Sequence, residues 1–287
     1  MRSVPDSGTV GSVPAPEEAD GADSDFPSAY RLLVARRAAR EPLQHILGVM
    51  WFRGLELASR PGVFIVRPET EVVAEAAVEA ARRMTDDDGA PLAVDLCAGS
   101  GAIAVALAHE VPQARLVAVE IDEILASQVR TWFDLPRSPR LRIRVGDAAE
   151  VVTGLRPGQW DVVVRDVFNG GSVPASCRSQ EFLGTCLRAL APDGLLLVNT
   201  ASMPRAQAGA EIAALTRALD GDVSCAVMVA DPAAVRGRRR GNLVLVARQT
   251  PFTASELEEV ERAVRRLALP VRTWSLNDAA VPRPEGG

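Results

Sequence analysis

The chain has no lysine: all 32 of its basic residues are arginine. This is the mark of a genomic base-composition bias rather than of a mechanism. Histidine is almost as scarce. His45 and His109 lie far apart, and Cys97, Cys177, Cys186 and Cys225 show no paired spacing. A Cys/His metal site needs such spacing, so no metal is expected. No apolar run reaches the ~20 residues of a membrane span, and the N-terminus has no apolar signal-peptide core. A cytoplasmic location without membrane contact is expected, and with it free thiols rather than disulfides.

Net charge is also missing from most of the chain. Residues 1–25 carry Asp6, Glu17, Glu18, Asp20, Asp23 and Asp25 against Arg2, a net of −5 that equals the net charge of the whole chain. The rest is near neutral, which gives no case for bulk attraction to nucleic acid. The first 27 residues are rich in Gly, Pro, Ser and Ala and poor in large apolar side chains, so they read as a disordered acidic tail.

What is present is enough apolar material for a core: 47% of 287 residues, sufficient for one large α/β domain with an extension. Residues 28–40 read as a short amphipathic helix. Residues 45–66 hold two apolar runs punctuated by Gly48, Gly54 and Pro61-Gly62, the pattern of a small β-hairpin. Residues 28–68 thus form an extension. A helix is expected over 69–84, ended by Asp86-Asp87-Asp88-Gly89. Strands are expected at 92–96, 115–121, 141–145, 160–166, 194–199, 223–229 and 242–248. Helices are expected at 102–110, 123–132, 178–190 and 205–219, with a shorter piece near 148–154. This alternation over 69–250 predicts a doubly wound, Rossmann-like sheet of seven strands. The last two strands have no helix between them and should be antiparallel. A terminal helix over 254–268 and a loose Pro-rich tail after Pro270 make up 251–287.

The most informative stretch is Val94-Asp95-Leu96-Cys97-Ala98-Gly99-Ser100-Gly101. A strand enters a small-residue loop; a helix follows, then a second strand ending in Glu120-Ile121-Asp122. Gly99 and Gly101 permit a sharp turn and a close ligand. The helix N-terminus after Gly101 favours a carboxylate or phosphate. Glu120, about 20 residues on, can accept hydrogen bonds from a ribose diol. A nucleotide-like cofactor is therefore expected. Gly-x-Gly is not followed by the third glycine of the dinucleotide fingerprint.

The same residues resemble motif I of class I S-adenosylmethionine (SAM) methyltransferases. The resemblance implies that Asp95 meets the methionine ammonium and that the loop amides near Ser100 and Gly101 meet its carboxylate. Asp147, at the end of Arg144-Val145-Gly146-Asp147-Ala148, would hold the adenine amino group, with Ala148 beside the ring. Cys97 and Ile121 complete the expected cofactor-lining set, Cys97 as a small packing residue.

Two family resemblances share the chain. Arg40-Glu41-Pro42-Leu43-Gln44-His45-Ile46-Leu47-Gly48, Phe52-Arg53-Gly54-Leu55, and Pro61-Gly62 through Arg67-Pro68-Glu69-Thr70-Glu71 resemble the HemK/PrmC release-factor glutamine methyltransferases. That match continues to about residue 115, with Val66 where the family usually has Pro and with the family's helical N-terminal domain largely missing. Val119-Glu120-Ile121-Asp122, Trp132-Phe133-Asp134-Leu135-Pro136, Trp160 through Phe168, and Gly237-Arg238-Arg239-Arg240-Gly241-Asn242 look like spermidine-synthase-like proteins, over about 117–250.

The two halves point to different chemistry. HemK-type enzymes carry Asn-Pro-Pro-Tyr at the end of the fourth strand to hold a planar amide. Here the sequence reads Asp166-Val167-Phe168-Asn169. Aminopropyltransferases have Asp at the first of these positions and usually a second Asp three residues later, where Asn169 stands. Asp166 is the candidate general base or substrate-orienting group, and Phe168 and Asn169 are candidate acceptor-binding residues. The donor loop argues the other way. Aminopropyltransferases typically have Gly-Gly-Gly-Asp-Gly, whose Asp meets the amine of decarboxylated SAM; Ala98-Gly99-Ser100-Gly101 offers no carboxylate. The expected function is SAM-dependent methyl transfer to a protein or a small amine. The alternatives are aminopropyl transfer from decarboxylated SAM and a non-catalytic protein that keeps the cofactor fold. Arg236, Arg238, Arg239 and Arg240 form the only basic cluster, read as a solvated turn or as a nucleic-acid or phosphate contact. Trp51, Phe52 and Phe64 read as hairpin core or as a roof over the cofactor. Oligomeric state is left open.

Overall fold

The structure, a computed structural model, describes residues 26–85, 89–132 and 140–284. The acidic segment 1–25, the Asp86-Asp87-Asp88 helix end and the Phe133–Pro136 part of the spermidine-synthase-like resemblance lie outside these. In chain order the strands are β1 (Val49–Phe52), β2 (Leu55–Ala58), β3 (Leu92–Leu96), β4 (Arg115–Glu120), β5 (Leu141–Val145), β6 (Trp160–Asp166), β7 (Leu190–Ala201), β8 (Ala226–Ala230), β9 (Asn242–Ala247) and β10 (Arg272–Trp274). The α-helices are α1 (Phe26–Ala38), α2 (Leu43–Leu47), α3 (Thr70–Thr85), α4 (Ala102–Glu110), α5 (Glu123–Trp132), α6 (Ala148–Val151), α7 (Gln180–Ala189), α8 (Arg205–Ala218), α9 (Pro232–Val235) and α10 (Ala254–Val264).

The seven expected strands are β3 to β9. They lie in one mixed sheet of order β10-β8-β9-β7-β6-β3-β4-β5. From β7 to β5 the strands run parallel; β9 inserts antiparallel between β7 and β8. Strands covered on both faces read as continuous apolar runs, which is why β6 shows Val162-Val163-Val164 with no polar alternation. The hairpin β1–β2 forms as expected.

Three expectations need correction. The tail after Pro270 is not loose. Its β10 pairs antiparallel with β8 as an eighth strand, Leu276 and Val281 are buried, and its backbone at Arg283 lies against Gly209 of α8 where a Cβ would collide. Composition marked this stretch as irregular; apolar burial overrode it. The connection between β8 and β9 does contain a helix, the single turn α9, capped by Asp231 through the Ala233 amide. Helix α1 forms, but none of its residues is buried: Phe26, Tyr30, Leu32, Leu33 and Val34 are all exposed. Its apolar pattern has no face to pack on among the described residues.

The chain leaves β3 toward β4 and β5 on one side and returns through β6 on the other. The crevice at the carboxyl ends of β3 and β6 is therefore the topological switch point, where open α/β sheets bind their ligands. Beneath it lies a buried polar network. Arg165 of β6, 0% exposed, forms an ion pair with Glu211 of α8 and donates to the Asn199 carbonyl at 2.5 Å. Thr200 Oγ1 donates to the second Glu211 oxygen at 2.6 Å. Burial pulls Arg165 down to about 10, against the opposing field of the neighbouring Asp166.

Candidate active site

Strand register places the acids. Asp95 of β3 is opposite Val164 of β6, and Asp166 of β6 is opposite Asn199 of β7. Side chains alternate along a strand, so Asp95, Asp166 and Asn199 share one face at the switch point and Arg165 faces the other way. Asp166 is held from two sides. Asn199 Nδ2 donates to its Oδ1 at 2.9 Å, and Thr70 Oγ1 donates to its Oδ2 at 3.1 Å. Thr70 opens α3, so the Pro-Glu-Thr-Glu segment docks directly onto the end of β6. Burial raises the Asp166 pKa; the bonds from Asn199 and Thr70 and the charge of Arg165 oppose that rise.

Asp95 is in the opposite condition. It is 3% exposed, and neither carboxylate oxygen has a hydrogen-bond partner. Its pKa is pushed up to about 8. Burial is the main cause and the nearby Asp166 charge the second; the Ala104 backbone amide, which points toward the carboxyl without meeting hydrogen-bond geometry, opposes, and Glu120 adds to the rise. Isolated buried carboxylates are costly. A cation brought to this point would relieve the cost, so Asp95 fits the ammonium of an amino-acid moiety.

The loop after β3 is built for close approach. Cys97, Gly99 and Gly101 all have positive φ, at 68°, 56° and 80°. The last two suit glycine, whereas Cys97 adopts a conformation that costs a side-chain-bearing residue energy. Gly101 caps α4, whose first-turn amides have no intrahelical acceptors. Glu120 is fixed by two backbone donors, Gly99 N to Oε2 at 2.7 Å and Asp122 N to Oε1 at 2.9 Å. Each oxygen keeps a second lone pair for a ribose hydroxyl. Ser100 is buried in the same loop.

The other expected residues divide. Ile121 is 67% exposed at the end of β4, an apolar side chain free to meet a flat ring. Asp147 caps α6 by accepting from the Ala149 amide through Oδ1 at 2.8 Å, and Ala148 is buried behind it. Phe168 packs against the core. Asn169 is exposed and closes a turn through backbone bonds with Ser172. Trp51 is 67% exposed and Phe64 half exposed, beneath the Arg67 guanidinium; only Phe52 joins the core. Among the described residues no cluster of metal-ligating side chains occurs. Sequence reasoning missed Thr70 as a support for Asp166, as well as Asn199, Arg165 and Glu211. The available signal was the polar pair Asn199-Thr200 directly after the apolar run Leu195–Val198. It also missed Cys177, a free thiol facing that of Cys97: their mutual interaction lowers Cys177 to about 7 and raises Cys97.

Strand order, glycine loop, unpartnered Asp95 and oriented Glu120 together define a Rossmann-like nucleotide-cofactor protein of the methyltransferase type. Comparison with known proteins agrees. Residues 93–194 match the family model described as "Methyltransferase domain". The release factor glutamine methyltransferase of Streptomyces coelicolor is 50% identical over 142 residues, 50% of this chain and 48% of that protein. That of Bifidobacterium longum is 45% identical over 203 residues, 60% of this chain and 68% of that protein. Among solved structures, a probable spermidine synthase from Corynebacterium glutamicum superposes with a TM-score of 0.63 at 28% identity, covering 83% of this chain and 92% of that one. The chain belongs to the class I SAM-dependent methyltransferases, with both HemK-like and spermidine-synthase-like features. It spans about half the length of the first curated relative it matches.

Proposed function

We propose that the protein transfers a methyl group from SAM to an amine nitrogen, with Asp166 as the group that receives or orients the acceptor's proton. The observation that carries this reading is the pair of carboxylates at the switch point: Asp95 without a partner on the cofactor side, Asp166 gripped by Asn199 and Thr70 on the acceptor side. SAM supplies an electrophilic methyl group on a sulfonium. The chain then needs to position more than to activate. Asp95 would bind the ammonium, the Ser100 amide the carboxylate, Glu120 the ribose hydroxyls, and Asp147 with Ala148 and Ile121 the adenine; the Gly101 amide, expected to share the carboxylate, is donated to the Ala98 carbonyl at 2.7 Å.

An amine reaches the site protonated and must lose a proton before it can attack. A carboxylate whose pKa is raised by burial is a better acceptor for that proton than an ordinary surface acid. The bonds from Asn199 and Thr70 and the charge of Arg165 beneath β6 oppose the rise. A glutamine amide is a poor fit. Its nitrogen lone pair is delocalised into the carbonyl, and it needs acceptors on both N–H groups. Each Asp166 oxygen already accepts one bond, Oδ1 from Asn199 and Oδ2 from Thr70, and Val167 and Phe168 stand where the amide-holding turn would be.

The donor is tested by isothermal titration with SAM, its demethylated product and decarboxylated SAM. Loop 97–101 carries no carboxylate to meet an amine, so SAM and its product are expected to bind at least tenfold tighter than the decarboxylated form. The reverse order would transfer the assignment to aminopropyl transfer.

A further inference from the structure

The connection between β8 and β9 holds Arg236, Arg238, Arg239 and Arg240, and β10 begins with Arg272. Folding brings them together. Arg236, Arg238 and Arg272 line an open cleft of about 390 Å³, with Asp231 at one side. Asp231 is already neutralised: Arg239 pairs with it, and its other bond caps α9. Arg236 lies over the Trp274 ring, 5.7 Å from its centre, and the ring is fixed by its Nε1 donating to the Ala230 carbonyl at 3.2 Å. Arg238 and Arg272 pair with no carboxylate among the described residues. The cleft therefore concentrates positive charge on a chain whose net charge is −5.

Its place in the fold gives it a role. β8 ends at Ala230 opposite Arg272 and Leu243, and β9 opens with Asn242 opposite Ala201 of β7. All of these ends lie on the edge of the sheet where β6 terminates in Asp166. The cleft is three strand positions from β6, roughly 14 Å along that edge at the usual strand spacing. Between the two lies a small cavity lined by Glu69, Asp231, Arg239 and Asn242, and Glu69 adjoins Thr70, which holds Asp166.

We propose that this cleft docks an acidic segment of a protein acceptor and so presents a nearby amine to Asp166. The proposal rests on the methyltransferase reading above and adds the class of substrate. Guanidinium forks match carboxylates in a bidentate geometry. Nucleic acid fits less well: the aromatic ring at the cleft is covered by Arg236, where a base would need an open stacking face. An extended peptide advances about 3.3 Å per residue, so the methylated amine should lie four to five residues from the acidic cluster.

The test is fluorescence anisotropy with the full chain at low salt. Three labelled probes are used: a peptide containing six glutamates, the same peptide with six glutamines, and a single-stranded RNA hexamer. The glutamate peptide is expected to bind at least tenfold tighter than either other probe. R238A/R272A, two exposed positions away from the core, should weaken that binding at least tenfold and leave SAM affinity by calorimetry unchanged. Equal binding of the glutamine peptide, tighter binding of RNA, or wild-type peptide affinity in the double variant would each overturn the proposal. Failure of the wild-type chain to bind SAM, with arginine-dependent peptide binding intact, would instead sink the methyltransferase reading and leave the cleft assigned.

Discussion

Replacing Asp95 with Asn weakens SAM binding by a factor of about a hundred or more and, at pH 8, raises the melting temperature of the ligand-free protein. Both effects have one cause. The Asp95 carboxyl is buried without a hydrogen-bond partner and titrates at about 8. In the unfolded chain it titrates near 4. Between those values the folded state holds a proton that the unfolded state has lost, so stability falls as pH rises from about 4 to about 8. At pH 8 the shift corresponds to a cost of at most about 5 kcal/mol. Asn cannot ionise and removes the cost. A recovery of about 2 kcal/mol would raise the melting temperature by several degrees, and the gain should vanish at pH 4. Binding moves the other way. A ligand ammonium facing a neutral amide loses its counter-charge, and removing one partner of a buried pair typically costs 3–5 kcal/mol, a few hundred-fold or more in affinity. Calorimetry and thermal melts at the two pH values check both halves. Affinity within threefold of wild type, or a melting temperature lowered at pH 8, would contradict the role given to Asp95.

Asp166→Asn gives the second large effect, on turnover rather than on binding. Asn has the same shape and can keep a bond to Asn199 and to Thr70, so the strand end stays in place. It cannot take a proton. Loss of a general base typically lowers the rate by 10²–10⁴, while SAM affinity should stay within about threefold. The pH profile separates this from a positioning role. In the wild type the rate falls as pH drops through the raised pKa of Asp166, because the base must be ionised; the variant should lose that limb. A variant with unchanged turnover, or with the same acidic limb, would remove Asp166 from the chemistry.

How much of this was legible in the sequence follows from the range of each interaction. The strand–loop–helix around Asp95 is local, so residue spacing alone located the loop, the capping glycines and Glu120. Asp166 was legible because it ends the strand that carries Val162-Val163-Val164, at the position where both resembled families place their acceptor motif. The groups that set its chemistry were not. Thr70 and Asn199 are 96 and 33 residues away from it, and the Arg165–Glu211 pair spans 46; contacts at such separations leave no periodic trace. Strand β10 was hidden because its flanking prolines read as loop, while the burial of Leu276 and Val281 depends on α8 and β8. Helix α1 shows the converse: a pattern that reads as amphipathic, with no partner among the described residues.

The most direct test of the account is mass spectrometry of two acceptors incubated with the protein and SAM: a release factor containing Gly-Gly-Gln, and an amine-bearing peptide with an acidic cluster four to five residues from the amine. The account predicts a 14 Da addition at the amine, lost in Asp166→Asn, and little or no modification of the glutamine. Stoichiometric methylation at the glutamine, with the amine untouched, would contradict it.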